Sequence, residues 1–361
     1  MGVEKMRQLI KPVIAAGVIG TFLTCGSMAQ ELDLTKKETY DQIMGWANEP
    51  LDTSAFKKDG DLRIGVAAGY LSNAWINFTA QSIKYEASLH PEIKEIKVTD
   101  AAFNPSKQAA DIDDLLTSGV DAILFWPVDE KAILPVLKKA HDQGVATINI
   151  GYNFMRDPSV TSNAYVNQWS YTEQVVDEFI KSLDGKGKVF AMLPIAGSSA
   201  AVVQLAVLQD ALKSHPDIEL ISTEYGDWDR AKAKQLTENL LQRFPQIDGA
   251  FSPAGQMSMG IYEAFDESGR LEELTLSPGD DYNGWTKLVA KEGKWGSVTS
   301  GLEVGREAVK QAVKILTGQP TTTAVVVPTR YLDPAEAAKL NEADRPDDWF
   351  KTDLPAEFLP Q

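Results

Sequence analysis

The stretch Leu62–Ile76, LRIGVAAGYLSNAWI, begins as a short apolar run without proline, which is typical of a buried strand. The run breaks at Gly69, and Ser72 and Asn73 then offer N-caps for a helix with Trp75 in its first turn. A strand that leads directly into a helix begins a βαβ unit. Because ligands of open α/β sheets bind outside the carboxyl ends of the strands, this turn is predicted to meet a small ligand.

Short apolar runs and helical stretches alternate along the rest of the chain. The predicted strands include 93–99, 122–126, 145–150, 188–193, 218–224 and 249–252, and the predicted helices include 105–117, 173–183, 200–213 and 231–243. Repeated βαβ units indicate parallel sheets covered by helices on both faces. A chain of 361 residues is too long for one ordinary core, so two α/β domains are expected.

The overall charge excludes two classes of partner. The formal net charge is −16, which repels nucleic acids and anionic membrane surfaces at long range. We therefore expect no nucleic-acid and no membrane-surface partner for the folded part of the chain.

The N-terminal segment is typical of an export signal. Basic residues precede the apolar run Val13–Leu23, which is too short to span a bilayer, and Ser27-Met28-Ala29 fits a small-x-small cleavage site. Residues 1–29 are therefore predicted to be a signal peptide, and the mature protein is expected in the periplasm. The single cysteine, Cys25, lies in this segment, so lipid anchoring there is the alternative, although residues 22–24 match a lipoprotein pattern poorly.

Catalytic and metal-binding patterns are weak in this sequence. The three histidines, His90, His141 and His215, each lie at a predicted helix C-terminus, where capping explains them. With no cysteine beyond the leader, neither a zinc site nor a Ser-His-Asp triad is indicated. A glycosidase using Asp227 and Asp281 is conceivable only as a pair of acids without a motif. We expect a binding protein rather than an enzyme, with no metal and no cofactor.

Large aromatic residues gather where the predicted strands end. They are Trp75, Trp126, Trp169, Trp228 and Trp285, together with Tyr70, Tyr152, Phe154 and Tyr282. The polar residues interleaved with them are Asn73, Asn153, Asn167, Gln168, Asp227, Asp280 and Asp281. Apolar rings with a few amides and carboxylates suit a neutral polyhydroxylated ligand. The alternative is that these rings simply cover the ends of the sheets.

Several ordered segments together resemble a known family. They are IGVAAGYLSNAW, DAAFNPSKQAADIDDLLTSGVDAILFWPVDEKAI, LPIAGSSAAV, EYGDWDRAKA and SPGDDYNGW, within residues 62–333. The chain resembles the sugar-binding proteins of ABC importers, of the ribose-binding-protein group. The resemblance implies the type I periplasmic-binding fold, which consists of two similar doubly wound parallel-sheet domains joined by a three-strand hinge and closing over a ligand.

Placed on this chain, the resemblance implies crossovers near Val166, Ser300 and Val327. The N-terminal lobe would comprise residues 61–165 and 301–327, and the C-terminal lobe and tail residues 166–300 and 328–361. Residues 30–60 would form an extension packed on the surface, with a short helix over 40–46.

The resemblance also implies binding residues. Asn73 matches an amide that bonds sugar hydroxyls, Trp75 and Trp228 match rings that sandwich the sugar, and Asp281 matches a hydroxyl-binding carboxylate, with Asp280 one register step away. Expected charged partners are missing, since Gly151-Tyr152, Gln204, Ala254-Gly255 and Gly301 stand at positions where the family often has Asp-Arg, Arg, Asn-Asp and Gln. The full predicted ligand-binding set is Asn73, Trp75, Trp126, Tyr152, Asn153, Asn167, Gln204, Trp228 and Asp281.

These observations predict a monomeric periplasmic solute-binding component that delivers a neutral sugar or sugar-like polyol to an ABC permease in the inner membrane. The alternative function is a ligand-binding accessory of a membrane sensor of a sugar or autoinducer. The reduced set of charged groups predicts a cleft that is more aromatic and less charged than in the family.

Overall fold

The computed structural model describes residues 32–360. The predicted signal peptide and Cys25 lie outside the described residues. Within residues 32–360 none of the helices combines the length and apolar character that crossing a membrane requires.

Strands and helices alternate through most of the described chain. The strands are β1 Pro50–Leu51, β2 Leu62–Ala68, β3 Ile93–Asp100, β4 Ala122–Trp126, β5 Ala146–Gly151, β6 Ser162–Val166, β7 Gly187–Leu193, β8 Ile218–Tyr225, β9 Gly249–Phe251, β10 Thr275–Leu276, β11 Ser297–Val298, β12 Thr321–Thr322, β13 Ala324–Val327 and β14 Tyr331–Leu332. The helices are α1 Lys37–Ala47, α2 Ala74–Ser88, α3 Pro105–Thr117, α4 Glu130–Asp142, α5 Gln168–Ser182, α6 Ser199–Leu212, α7 Arg230–Arg243, α8 Gly255–Glu267, α9 Asn283–Glu292, α10 Val304–Leu316 and α11 Pro334–Ala337.

Two parallel sheets organise these elements. The larger has the strand order β3-β2-β4-β5-β6-β13, and the smaller has the order β8-β7-β9-β10. In each sheet the first strand in the chain pairs on one side with the second and on the other with the third, so the strand order reverses there. A ligand of a doubly wound sheet binds at this reversal. The predicted fold class, with two similar doubly wound parallel sheets, is confirmed.

The inner strands β2, β4 and β7 are apolar on both faces because helices cover both faces of each sheet. In the larger sheet, Ile64, Val66 and Leu124 belong to one buried cluster. Ala67 and Phe125, which point the other way, belong to a second cluster on the opposite face. This alternation explains why the strands read as unbroken apolar runs in the sequence.

The chain passes from one sheet to the other at three places. It leaves the larger sheet after β6, returns to it between β11 and β13, and then pairs β14 with β11 beside the smaller sheet. At the second passage Gly301 has a φ of +67°, and an added Cβ would lie 2.7 Å from Val166. Only glycine suits this conformation and this contact. The exact boundaries of the two lobes stay a prediction.

The segment before β2 is anchored on both lobes. Its helix α1 packs on α5 of the smaller-sheet lobe, where the Tyr40 and Trp169 ring centroids lie 5.3 Å apart. Further along, Phe56 packs edge-on against His141 at the end of α4, beside the larger sheet. The predicted short helix is present and longer, and its residues Tyr40, Ile43 and Ala47 are buried against the rest of the protein.

The segment after β14, here called the C-terminal strap and comprising residues 333–360, also contacts both lobes. Its backbone is held to α9, where Asn283 N–H donates to the carbonyl of Trp349 at 2.8 Å. The Trp349 ring packs edge-on against Phe78 of α2, with centroids 4.9 Å apart. Near its end, Phe358 packs on Tyr85 of α2 at 5.3 Å. The strap thus joins a helix of one lobe to a helix of the other.

Candidate functional site

A cavity of about 620 Å³ lies where the carboxyl ends of both sheets face each other. The loops after β2, β4 and β5 line one side, and the loops after β7, β9 and β10 line the other. Its volume is that of a site for a small organic ligand. At Gly69, an added Cβ would lie 2.7 Å from the carbonyl oxygen of Trp126, so glycine is needed for β2 to turn beside β4 at the wall of the cavity.

Most residues of the predicted binding set line this cavity. They are Asn73, Trp75, Trp126, Tyr152, Asn153, Gln204 and Trp228. Asn73 is also the N-cap of α2, since its Oδ1 accepts a hydrogen bond from Ile76 N–H at 2.9 Å. Its position at a helix start therefore has a structural reason as well, and ligand contact stays a prediction.

Asn153 joins the two sides of the cavity. Asn153 follows β5 of the larger sheet, and Ser199 begins α6, which follows β7 of the smaller sheet. The Asn153 Oδ1 accepts a hydrogen bond from the Ser199 hydroxyl at 2.6 Å. The side chains thus meet across the cleft. This contact describes a closed arrangement of the two lobes.

Two residues of the predicted set do not line the cavity. Asn167 is the N-cap of α5, and its side chain accepts from Ser170 N–H at 3.1 Å. Asp281 accepts from Ser300 N–H at 3.1 Å and so holds the second passage between lobes, while its neighbour Asp280 lines the cavity. The register alternative named from the sequence is therefore the one that places a carboxylate at the cavity wall.

The tryptophans at strand ends divide into two groups. Trp75, Trp126 and Trp228 line the cavity. Trp169 and Trp285 are buried in the core, and the Trp285 indole donates to the carbonyl of Gly296 at 2.9 Å. Trp169 and Trp285 therefore cover the ends of the sheets, and ligand contact stays a prediction for the three that line the cavity.

Three rings form a continuous aromatic surface, here called the ring wall, made of Trp75, Tyr152 and Tyr171. The centroids of Trp75 and Tyr152 lie 5.6 Å apart, and those of Tyr152 and Tyr171 lie 5.9 Å apart. Trp75 and Tyr152 both donate to the carbonyl of Ser300, at 3.2 and 2.6 Å, and Tyr171 donates to the carbonyl of Pro253 at 2.7 Å. Because the polar hydrogens are already bonded, the ring wall offers a ligand its apolar faces.

The polar side of the cavity, here called the acceptor wall, consists of Gln204, Gln256 and Asp280. Gln256 donates its amide nitrogen to the carbonyl of Trp228, which leaves its oxygen for a ligand. Gln204 is 2% exposed, and its Oε1 is buried without a hydrogen-bond partner. A buried amide oxygen without a partner is costly, so a ligand donor at this point would relieve the cost.

The pKa of Asp280 is raised to about 7, first by burial and then by the charge of Asp281. Backbone N–H groups of Gly255 and Tyr282 donate to its Oδ1, at 3.1 and 3.3 Å, and oppose this shift. Burial also raises the pKa of Asp281 to about 6. Of the described residues that line the cavity, none is lysine, arginine or histidine. The carboxylate therefore has no basic side chain beside it at the cavity.

Several cavity residues were not in the predicted set. Tyr171 lies one turn into α5, Gln256 lies at the start of α8, and Phe350 belongs to the C-terminal strap. The signal for Tyr171 was its spacing of three residues from Gln168, which puts both on one face of a helix. Phe350 carried no signal, because its contact with the cavity depends on how the strap folds back.

No group of three or more histidine, cysteine, aspartate or glutamate side chains able to hold a metal occurs within residues 32–360. The cavity instead combines rings, side-chain amides and the two acidic residues Glu130 and Asp280. Such a lining can bind a ligand that donates hydrogen bonds and has apolar C–H faces.

Comparison with known proteins agrees with this geometry. Residues 64–320 match the periplasmic binding protein domain family. The ribose import binding protein RbsB of Bacillus subtilis is 28% identical over 211 residues, 58% of this chain and 67% of the relative. The xylitol-binding protein of Mycolicibacterium smegmatis is 26% identical over 166 residues, 46% of this chain and 47% of the relative.

A solved structure shares the fold. The ABC transporter solute-binding protein of Bacillus halodurans, solved with myo-inositol bound, superposes with a TM-score of 0.69 at 22% identity, covering 78% of this chain and 98% of that chain. These relatives are named as binding proteins, which confirms the prediction of a binding protein rather than an enzyme. With a family match over most of its length, the chain belongs to the periplasmic binding protein domain family and has the type I periplasmic-binding fold.

Proposed function

We propose that this protein is the periplasmic solute-binding component of an ABC importer and captures a sugar or sugar-like polyol between its lobes. The observation that carries this proposal is the cavity between the two sheets, in which a ring wall faces an acceptor wall without any lining cation. Sugars and polyols offer C–H faces to rings and hydroxyl donors to amide and carboxylate oxygens.

The charge of the lining favours this class over sugar acids and phosphates. An anion placed beside Asp280 would be desolvated without a basic partner, which costs several kcal/mol in a buried site. The relatives named for ribose and xylitol, and the neighbour solved with myo-inositol, bind hydroxylated solutes, in line with the same chemistry.

The mode of binding follows from the contacts between lobes. Ser199 and Asn153 meet across the cavity, so opening the cleft would break their hydrogen bond and admit a ligand. Capture would then consist of closure around the ligand, with Trp75 and Tyr152 of one lobe brought towards Tyr171 and the acceptor wall of the other. We expect the protein to act as a monomer and to deliver the ligand to a permease in the inner membrane.

The proposal is tested by adding a panel of pentoses, hexoses, polyols and cyclitols to the purified mature protein. A raised melting temperature and a changed tryptophan fluorescence are expected with at least one of them, because the ligand stabilises the native state and covers the cavity tryptophans. A complete lack of response, with the protein shown to be folded, would contradict the proposal. The sensor alternative is distinguished by whether a permease or a membrane receptor co-purifies with the ligand-bound form.

A further inference from the structure

The ring wall and Asp280 line the same cavity. The Asp280 charge is near enough to raise the pKa of both Tyr152 and Tyr171, which are neighbours in the ring wall. Both hydroxyls already donate to backbone carbonyls, so neither donates to the carboxylate. Aromatic faces beside a carboxylate attract a cation through both the ring quadrupole and the charge.

The groups that surround Asp280 do not neutralise it. Asp281 is the next residue, and the charge of Glu303 reaches Asp281 and Tyr152, so the neighbouring charges have the same sign. Only backbone N–H groups donate to Oδ1 in the described contacts. A second orphan acceptor, the buried Gln204 Oε1, lines the same cavity. A ligand therefore meets a carboxylate that no basic side chain of the described lining neutralises.

An ammonium group is a better partner for the Asp280 carboxylate than a hydroxyl group is. It brings three donors and no acceptor, whereas a hydroxyl brings one donor together with lone pairs that need donors in turn. Its hydrogen bond to a carboxylate is charge-assisted and roughly twice as strong as one from a neutral donor.

We infer that the site prefers a polyol in which one hydroxyl is replaced by a protonated amine, with the ammonium against Asp280 and the ring wall, and a hydroxyl donating to Gln204. The inference rests on the proposed function and narrows its ligand class. Neutral polyols still bind, but the aminated form of the same carbon skeleton binds more tightly.

The test is isothermal titration at pH 7.5 with pairs that differ only in one amine for one hydroxyl: 2-amino-1,3-propanediol and glycerol, 1-amino-1-deoxyxylitol and xylitol, 1-amino-1-deoxy-D-sorbitol and D-sorbitol, and D-glucosamine and D-glucose. In the pair that binds best, the amine is expected to bind about 10- to 100-fold more tightly, the range of a charge-assisted contact in a partly desolvated site.

Two variants test whether the Asp280 carboxylate causes the preference for the amine. In Asp280→Asn the amine and the hydroxyl compound are expected to bind within about threefold of each other, because the carboxylate is gone while the shape is kept. Asp333→Asn removes the same charge at the N-cap of α11, where asparagine caps equally well, and should keep the wild-type ratio.

The outcomes separate this inference from the proposed function. Neutral members that bind as tightly as their amines, or a preference that survives in Asp280→Asn, would overturn the inference and leave the proposed function standing. Failure of every member of every pair to bind would overturn the inference, whereas the proposed function falls only if the whole panel of pentoses, hexoses, polyols and cyclitols also gives no response.

Discussion

The ring wall and the acceptor wall face the same cavity but are built in opposite ways. Trp75 and Tyr152 have their polar hydrogens bonded to the backbone, so they are fixed in place and present apolar faces. Gln204 is buried, and its Oε1 has no hydrogen-bond partner within residues 32–360. Asp280 is half-buried, and no basic side chain of the described residues lines the cavity beside it. The ring wall therefore supplies contact area, whereas the acceptor wall selects ligands by the hydrogen-bond donors that they carry. Replacing residues of the two walls should therefore have different signatures.

The largest effect is expected for Gln204→Leu. Affinity for the best neutral polyol should fall about 10- to 100-fold, since a ligand hydroxyl loses its buried partner. The melting temperature of the ligand-free variant should stay equal or rise, because the unpartnered buried oxygen is removed. Titration calorimetry and thermal unfolding measure the two quantities. Weaker binding accompanied by an equally large loss of stability would mean that Gln204 supports the fold instead.

On the ring wall, Trp75→Phe should weaken binding about 10-fold, because the smaller ring covers less of the ligand and loses the bond that fixes it to Ser300. The matched control is Trp169→Phe, which changes the same residue type at another strand end, in the core beneath α1. That control should lower the melting temperature and keep the affinity. If the two variants have equal affinities, the ring wall does not contact the ligand.

The C-terminal strap contributes one residue to the cavity, and we expect a smaller effect there. Phe350→Ala should weaken binding about three- to tenfold, since Phe350 lines the cavity and also packs on Tyr282 at 6.0 Å. Phe358→Ala is the control within the same strap, because Phe358 packs on Tyr85 of α2. A faster ligand dissociation for the first variant alone, measured by stopped-flow fluorescence, would assign the strap a part in retention. Equal dissociation rates for the two variants would show that Phe350 of the strap takes no part in retaining the ligand.

The smallest effect is expected in the ligand-free protein, in which Asp280 makes the stability of the fold depend on pH. The pKa of Asp280 is about 7 in the folded protein and 3.8 in its ordinary state, so the folded protein holds a proton that the unfolded chain releases between these values. The carboxyls of Asp281 and Glu303 face the same region with the same sign, and burial of Asp281 acts in the same direction. Stability from this pair is therefore highest at low pH and is lost as the pH rises through 7.

Asp280→Asn should accordingly raise the melting temperature of the ligand-free protein at pH 8 by about 2–4 °C, and by less at pH 5. Thermal unfolding of both proteins across this pH range measures the difference. A variant that is less stable than the wild type at pH 8 would show that the carboxylate has a stabilising partner.

The sequence predicted the sheets well for a physical reason. Strands such as β4 are buried on both faces, so their apolar runs are unbroken and their ends are marked by polar residues. The same logic located the cavity, because ligands of such sheets bind at strand ends. The parallel sheets and the position of the cavity therefore followed from the hydrophobic pattern, whereas the two-lobed arrangement was implied by the family resemblance.

Individual site residues followed less well, because one residue type serves two purposes. Asn73 and Asn167 both cap helices that follow strands, and only the packing of the lobes decides which one also lines the cavity. Asp280 and Asp281 are adjacent in a loop. Because a loop has no regular periodicity, the sequence does not show which of the two side chains faces the cavity. Phe350 is far from the other cavity residues in the chain, so its contact is a product of tertiary structure.

The most direct test compares the tightest neutral polyol from the panel with its carboxylate analogue, in which a terminal hydroxymethyl group is oxidised to the acid. An acceptor-lined cavity without a lining cation predicts binding of the polyol by titration calorimetry at pH 7.5, and at least about 100-fold weaker binding of the acid. Binding of the acid as tightly as the polyol would contradict the account.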